Sequence, residues 1–405
     1  MDLIVPNLSF FDLCKKITDL KYPIYINGFS AISALGHDQN AINENYENGS
    51  THFSTLKLNS SSVMAASLSS ESLEELTKLS QENSKYKDLD KSVLMAIYTA
   101  RHAMSGLDFN AESTGINIGS SRGATGLFEK YHKAFLQGEP LSPLSSPTTT
   151  LGNISSWVAQ DLGVDGPNIS HSITCSTALH AMLNAKAWLE AGMSDLFLVG
   201  GAEAPLTEFT IAQMQALKLY SRLDTSQPCE SLKMDKTQNS LVLGEGSATA
   251  VMSRSSEKAI AEITGFGYAT EQIRHNISIS SDAQCFQKSM KMALNEAERL
   301  EVDVIVLHAP GTLKGDQAEL AAIEKSFNKT PLLTTNKWKL GHTFGASGML
   351  SIEMALQMLS YGKFYENPFY KQQNSSKPVT SVLVNAVGFG GNAVSILLEN
   401  PKHLK

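Results

Sequence analysis

The sequence predicts an α/β protein in which one alternation of strands and helices is given twice. Apolar runs suited to buried strands, such as Asp195-Leu-Phe-Leu-Val-Gly-Gly-Ala-Glu203, alternate with segments of helical spacing. The chain has 405 residues, about two to three times the usual domain length, so two cores or one duplicated fold are expected. A second round of strands and helices begins at Ala261, after the first has run to Met252.

In chain order, residues 1–22 read as a short helical extension with Phe10, Phe11, Leu13 and Cys14 on one face. Pro23 to Ile32 is strand-like, and Asp38 is placed to cap a helix through Tyr46. The Ser-rich stretch Asn59 to Ser72 reads as a loop. Val93, Ala96, Ile97, Ala100, Ala103 and Met104 give Lys91 to Ser105 a helical period, and a strand follows from Thr114 to Ile118. Gly119-Ser-Ser-Arg-Gly-Ala-Thr-Gly126 lacks the Gly-Lys-Ser/Thr ending of a phosphate loop, which argues against nucleotide binding. Gln137 to Thr149, rich in Pro, Ser and Thr, reads as an irregular excursion. Leu241 to Gly246 and Ala248 to Met252 read as buried strand, and Ile263 to Ala269 as the next. Gln284 to Arg299 is helical, Val302 to His308 an apolar strand, and Gly348 to Leu359 a helix. Thr380 to Val387 and Asn392 to Glu399 form a hairpin around Gly388-Phe-Gly-Gly391.

Ser172-Ile-Thr-Cys175-Ser-Thr-Ala-Leu-His180 is the stretch around which this pattern is organised. Ala178, Ala181 and Ala185 recur at helical spacing and Gly192 supplies the stop, so the segment reads as strand, sharp turn and buried helix with Cys175 at the turn. A thiol there feels the positive end of the helix dipole, which is expected to lower its pKa and favour the thiolate.

Hydrophobic residues at 42% and charged residues at 18% describe a soluble globular chain. The net charge of -7 argues against nucleic acid or an anionic membrane as the main partner. Cys14, Cys175, Cys229 and Cys285 show no CxxC spacing, so neither a zinc site nor a disulfide scaffold is indicated, and the compartment is read as reducing and cytoplasmic. The N-terminus lacks the marks of a signal peptide, and no run is long enough to span a membrane.

Five motifs in order resemble the elongating β-ketoacyl-acyl carrier protein synthases of the thiolase superfamily, over about Pro23 to Glu399. Thr174-Cys175-Ser-Thr-Ala, with Gly166-Pro167 upstream, is similar to the family's nucleophile turn. His308-Ala-Pro-Gly-Thr312-Leu-Lys-Gly315-Asp316-Gln-Ala-Glu319 resembles the first histidine motif. Lys337-Trp-Lys-Leu-Gly341-His342-Thr-Phe-Gly345-Ala-Ser-Gly348 resembles the second, with its lysine five residues before the histidine. Gly388-Phe389-Gly390-Gly391 is similar to the C-terminal glycine loop, and Gly244-Glu245-Gly246 to another shared turn.

The resemblance implies a thiolase fold of two βαβαβαββ halves, about 23–253 and 254–400, in a five-layer α/β/α/β/α sandwich. It implies a decarboxylative Claisen condensation of an acyl group on Cys175 with malonyl-acyl carrier protein, with His308 and His342 as neutral N–H donors to the enolate and Lys337 organising the second histidine. It assigns the backbone N–H groups of Cys175 and Phe389 to the acyl-transfer oxyanion, the Phe389 side chain to a gate, and Thr312, Gly388 and Gly390 to substrate binding. Lys218 and Arg222 fall in a segment similar to one that docks the acidic carrier. No metal and no bound organic cofactor is implied, because the carrier supplies the phosphopantetheine. A dimer is implied, with the excursion around residues 127–150 near a partner that is a second copy or a chain-length-factor-like subunit.

The chain departs from the family pattern at Ala309 and Pro310, at Gln238-Asn239-Ser240, and at Ser351, nine residues after His342, where the family has a glutamate. Glu353 lies two further on, which leaves the pairing of Lys337 open. These changes point to a specialised ketosynthase, for example of a type II polyketide or aryl-polyene kind. The alternatives are a non-catalytic chain-length-factor-like subunit, against which Cys175 argues, and a thiolase-like acyl-CoA enzyme, for which no Cys-x-Gly stands near the C-terminus.

Overall fold

The computed structural model describes residues 23–59, 61–272, 279–372 and 377–401, so the extension read at residues 1–22 lies outside the described residues. The strands are β1 (Ile24–Ser33), β2 (Ser54–Lys57), β3 (Ser62–Ala65), β4 (Thr114–Gly119), β5 (Asn168–Ile169), β6 (Leu196–Glu203), β7 (Gly246–Ser253), β8 (Ala261–Thr270), β9 (Val304–Val306), β10 (Leu332–Thr334), β11 (Ser381–Gly388) and β12 (Asn392–Glu399). The helices are α1 (Gln39–Glu47), α2 (Ser70–Glu82), α3 (Lys91–Met104), α4 (Thr125–Leu136), α5 (Asn153–Leu162), α6 (Thr177–Glu190), α7 (Glu208–Ala216), α8 (Gln284–Glu296), α9 (Leu313–Ser326), α10 (Lys337–Leu340) and α11 (Ser347–Tyr361).

Ten strands form one sheet in the order β10-β9-β11-β12-β8-β1-β7-β6-β4-β5. Cut between β8 and β1, each side repeats the same order of third, second, fourth, fifth and first strand. Directions repeat as well: β4 is parallel to β5 and β6 as β9 is to β10 and β11. The fourth–fifth and fifth–first pairs are antiparallel on both sides. Ile24, Tyr25 and Ile26 of β1 join the two sides by pairing with Ile263, Glu262 and Ala261 of β8.

Burial explains the layering. α6 and α11 share one apolar core with inward residues of strands from both sides, which places these two helices between the two sets of strands. Residues of α3 and α5 form a second core with the first set, and residues of α8 and α9 a third with the other. The result is the five-layer α/β/α/β/α arrangement. Close approach is built in by glycine at matching places: a Cβ on Gly28 of β1 would overlap Ala103 O of α3, and one on Gly267 of β8 would overlap Ser289 O of α8. Asp38 caps α1 as expected, accepting from the N–H groups of Asn40 and Ala41.

Two local readings are corrected. Asn59 to Ser72 is not one loop: it contains β3, paired with β2, and the start of α2, whose cap is Ser69. Ser61 and Ser62 are exposed, Ser69 caps α2 and Ser72 is buried in its first turn, so their shared polarity hid both elements. Leu241 to Gly244 is not a regular strand but a run of isolated bridges to Tyr220, Ala66 and His342. Among the described residues, no helix is long and apolar enough to cross a membrane.

Candidate active site

Cys175 sits in a 3-10 turn, Thr174–Ser176, that feeds directly into α6. The strand leading to it ends early, at Ile169, and Thr174 takes a φ of 46°. That left-handed residue re-aims the chain so that the thiol faces the other half of the molecule. Thr177 closes the turn by accepting from the Ile173 N–H at 2.8 Å.

The histidines arrive from the other half. His308 follows β9, and Glu319 of α9 holds its backbone by accepting the N–H groups of His308 at 2.9 Å and Ala309 at 2.8 Å. Asp316 braces the same loop through the N–H groups of Gly311 and Thr312 and forms a buried pair with Lys236 at 2.7 Å. His342 follows α10, and its Nδ1 accepts the Phe344 N–H at 3.0 Å. A neutral imidazole that accepts at Nδ1 carries its proton on Nε2, so His342 is an Nε2–H donor.

The three side chains converge. Cys175 Sγ and one ring nitrogen from each histidine all lie within 4.8 Å of one another, and all three residues are buried. The two imidazoles meet edge to face, with centroids 5.3 Å apart. Burial, aided by the Lys337 ammonium, holds His308 well below the usual imidazole range and His342 at about 3. Both are therefore neutral near pH 7. Lys337 is 1% exposed, and burial pushes it down to about 8 against the pull of Glu319, Cys229, Cys175 and Asp316.

The thiol departs from expectation. Burial, followed by the charge of Glu203, pushes Cys175 up to about 12, with Lys337 and Arg122 pulling the other way. Desolvation outweighs the helix dipole at this depth, so the resting group is a thiol.

A cavity of about 520 Å³ opens onto these groups. Cys175, His308 and His342 line it together with apolar residues such as Met214, Leu241 and Phe344, and Thr312, Gly388 and Phe389 line it too. Phe389 is 39% exposed at the turn between β11 and β12, so it is not a core residue. Gly388 has no room for a side chain, since a Cβ would overlap Thr174 Oγ1. Gly390 takes a φ of 104° within the same turn. Lys218 and Arg222 are both exposed. Lys218 lies beside the cavity, where Asn239 of the lining donates to its carbonyl at 2.9 Å. Exposed Lys314 at the start of α9 lines the same cavity, a cation the sequence reading passed over.

Glu203 was also missed. It ends the otherwise apolar strand β6, and its Oε1 accepts the N–H groups of Ser121 and, at 3.0 Å, Gly345. A lone carboxylate closing a buried strand was the signal available. Glu353 accepts from Tyr46 Oη at 2.9 Å, and Ser351 Oγ is buried with no partner among the described residues. One oxygen of Glu353 is thus engaged with Tyr46 of α1, and the groups acting on Lys337 are Glu319, Cys229, Cys175 and Asp316.

The family model described as "Beta-ketoacyl synthase, N-terminal domain" matches residues 21–258, and "Beta-ketoacyl synthase, C-terminal domain" matches residues 260–369. The chain is 28% identical over 327 residues to the 3-oxoacyl-[acyl-carrier-protein] synthase 2 of Vibrio cholerae, covering 73% of this chain and 78% of that protein. It is 27% identical over 356 residues to the tetracenomycin polyketide synthase ketoacyl synthase alpha subunit of Streptomyces glaucescens, covering 78% and 82%. In fold it resembles a chain of a complex between a ketosynthase and its chain length factor from Xenorhabdus doucetiae, with a TM-score of 0.77 at 20% identity over 94% of this chain and 98% of that one. Two matching family models over most of its length, around a cysteine and two histidines, make this chain a member of the β-ketoacyl synthase family.

Proposed function

We propose that Cys175 carries the acyl group in a decarboxylative Claisen condensation that makes a 3-oxoacyl thioester on an acyl carrier protein. The observation that carries this reading is the convergence of Cys175, His308 and His342 within 4.8 Å at one cavity. In the first step Cys175 Sγ attacks the thioester carbonyl of an acyl carrier, the carrier thiolate leaves, and the proton of the Cys175 thiol ends on that leaving sulfur. No net base is needed, which suits a thiol held at about 12. Backbone N–H groups of Cys175 and Phe389 stabilise the oxyanion of this step.

In the second step malonyl on a carrier loses carbon dioxide, and the electron pair of the broken bond moves onto the thioester oxygen as an enolate. Nε2–H of His342 and an N–H of His308 donate to that oxygen, both rings being neutral. The enolate carbon then attacks the acyl group on Cys175, and the thiolate departs and takes a proton from water. Lys337 organises the pair from α10. Phosphopantetheine enters on the carrier, past Thr312, Gly388 and Gly390, with Phe389 as the gate.

Lys218, beside the cavity, and exposed Arg222 four residues on present positive charge for an acidic carrier, in a protein of net charge -7. The exposed apolar side chains Phe128, Phe135, Leu136, Leu141 and Leu144, on α4 and the segment after it, support a dimer through that face, with a second copy or a chain-length-factor-like subunit. Free Cys175, Cys229 and Cys285 support a reducing, cytoplasmic setting. The departures at Ala309, Pro310 and Ser351 favour a specialised enzyme over a housekeeping one. The binding-subunit reading has no support from the site, which keeps its nucleophile.

The test is condensation of an acyl carrier with malonyl carrier, read as the 3-oxoacyl product. Product that vanishes in His308→Ala supports the reading, whereas product formed equally by that variant contradicts it. For docking, Lys218→Glu is expected to weaken use of carrier-bound acyl groups several-fold while leaving acylation by a small thioester unchanged. Equal loss with both donors removes the docking role.

A further inference from the structure

The loop after β4, Gly119 to Gly126, was set aside as a phosphate loop and has no part in the reaction as described. Its Arg122 nevertheless lies over Phe344, which packs in one buried cluster with Cys175, and its charge reaches both Cys175 and Glu203. Arg122 is tied on two sides. Its Nη1 donates to Gln213 Oε1 of α7, and its guanidinium carbon lies 5.0 Å from the centroid of the Phe344 ring.

Phe344 is the residue on which this contact matters. Its φ of 42° is left-handed, a conformation that costs a non-glycine residue energy and persists only when surrounding contacts hold it. Its N–H is the group that fixes the His342 tautomer. Glu203 completes the arrangement by accepting from Ser121, next to Arg122, and from Gly345, next to Phe344. The second oxygen of Glu203, Oε2, is buried without a partner among the described residues. One carboxylate and one guanidinium therefore lash the loop after β4 to the turn before α11.

We propose that Arg122 is a positioning residue of the condensing site: it holds the Phe344 turn so that His342 presents Nε2–H, and it holds a fixed positive charge against Cys175 opposing that of Glu203. The proposal rests on the ketosynthase reading for its effect on condensation, but not for its effect on the thiol. The charged and titratable groups around Cys175 are Glu203 and Arg122 from the N-terminal half, and Lys337, His308 and His342 from the other. Removing Arg122 leaves Glu203 less opposed, so thiolate forms at higher pH.

The experiment uses full-length wild type, Arg122→Met and Arg122→Lys, each checked for an unchanged thermal midpoint. Two readouts are taken, the pH profile of Cys175 alkylation by iodoacetamide and the steady-state constants of condensation. Arg122→Met is expected to alkylate about tenfold more slowly at a given pH, with its profile displaced upward. Its condensation kcat should fall about tenfold or more with KM for the malonyl carrier little changed. Arg122→Lys should recover most of the alkylation profile, because the charge returns, and only part of kcat, because the planar stacking does not. A wild-type alkylation profile in Arg122→Met overturns the proposal, as does equal loss in the Met and Lys variants, which marks a packing role. If wild type forms no acyl-enzyme at all, the ketosynthase reading fails while the alkylation comparison still decides the role of Arg122.

Discussion

Thr174-Cys175-Ser176 ahead of α6 and Phe344-Gly345-Ala346 ahead of α11 are the same turn built twice. Each is a 3-10 turn that opens on a left-handed residue, at φ 46° for Thr174 and 42° for Phe344, and runs straight into one of the two central helices. In one half the middle residue is Cys175, the proposed nucleophile; in the other it is Gly345. The difference is forced by Glu203: a Cβ on Gly345 would lie 2.7 Å from Glu203 Oε1 and 2.7 Å from Ser121 N. The first turn thus offers a side chain to the cavity, and the second offers backbone N–H groups, from Gly345 to Glu203 and from Phe344 to His342. The repeated fold supplies two equivalent platforms, and the proposed chemistry divides between them, with the attacking atom on one and the orientation of its partner on the other.

The strongest way to break the asymmetry is to make both turns alike. Cys175→Gly is expected to abolish acyl-enzyme formation and to lower condensation at least about a thousandfold. A residual rate near wild type would remove Cys175 from the mechanism. Next in size, His342→Ala should cut condensation about a hundredfold or more while acylation of Cys175 proceeds, because only the second step uses the imidazole donor. Loss of acylation in step with condensation would contradict that division of labour.

Gly345→Ala probes the other turn. The added methyl has backbone on one side and Glu203 on the other, so the variant should lose about 1–3 kcal/mol of stability, seen as a lower thermal midpoint. An unchanged midpoint would mean that Glu203 is not held as described.

The smallest effect concerns pH. Burial pushes the Glu353 carboxyl up to about 8 from an ordinary 4.5. Its contribution is therefore full below about 4.5 and lost as pH rises through about 8. Glu353→Gln should narrow the fall in thermal midpoint between pH 5 and pH 8 by about a few degrees. His342 has the opposite sense: held at about 3, it penalises folding as pH drops below 6.5, but it does so in wild type and variant alike and cancels from the difference between them.

How much of this was legible follows from how local each feature is. α6 and β6 were readable because alanines at helical spacing and an unbroken apolar run report burial directly. The meeting of Cys175, His308 and His342, with Lys337 buried beside them, was readable because the motifs keep their offsets. β3 and α2 were hidden by serines whose roles, strand edge and helix cap, depend on what they face. The thiol was misread because a helix dipole is local, whereas the burial that overrides it comes from a cavity closed by residues far along the chain. The partners of Glu203 and Arg122 were out of reach for the same reason: the Gly345 N–H that Glu203 accepts is 142 positions away.

The most direct measurement of the central claim is the intact-protein mass of wild type and Cys175→Ala after mixing with acyl carriers bearing short saturated, polyunsaturated and aryl-enoyl chains. The account predicts a mass gain of one acyl group in wild type and none in the variant, with the fastest donor naming the chain the cavity accepts. No gain with any donor, or an equal gain in Cys175→Ala, would contradict it.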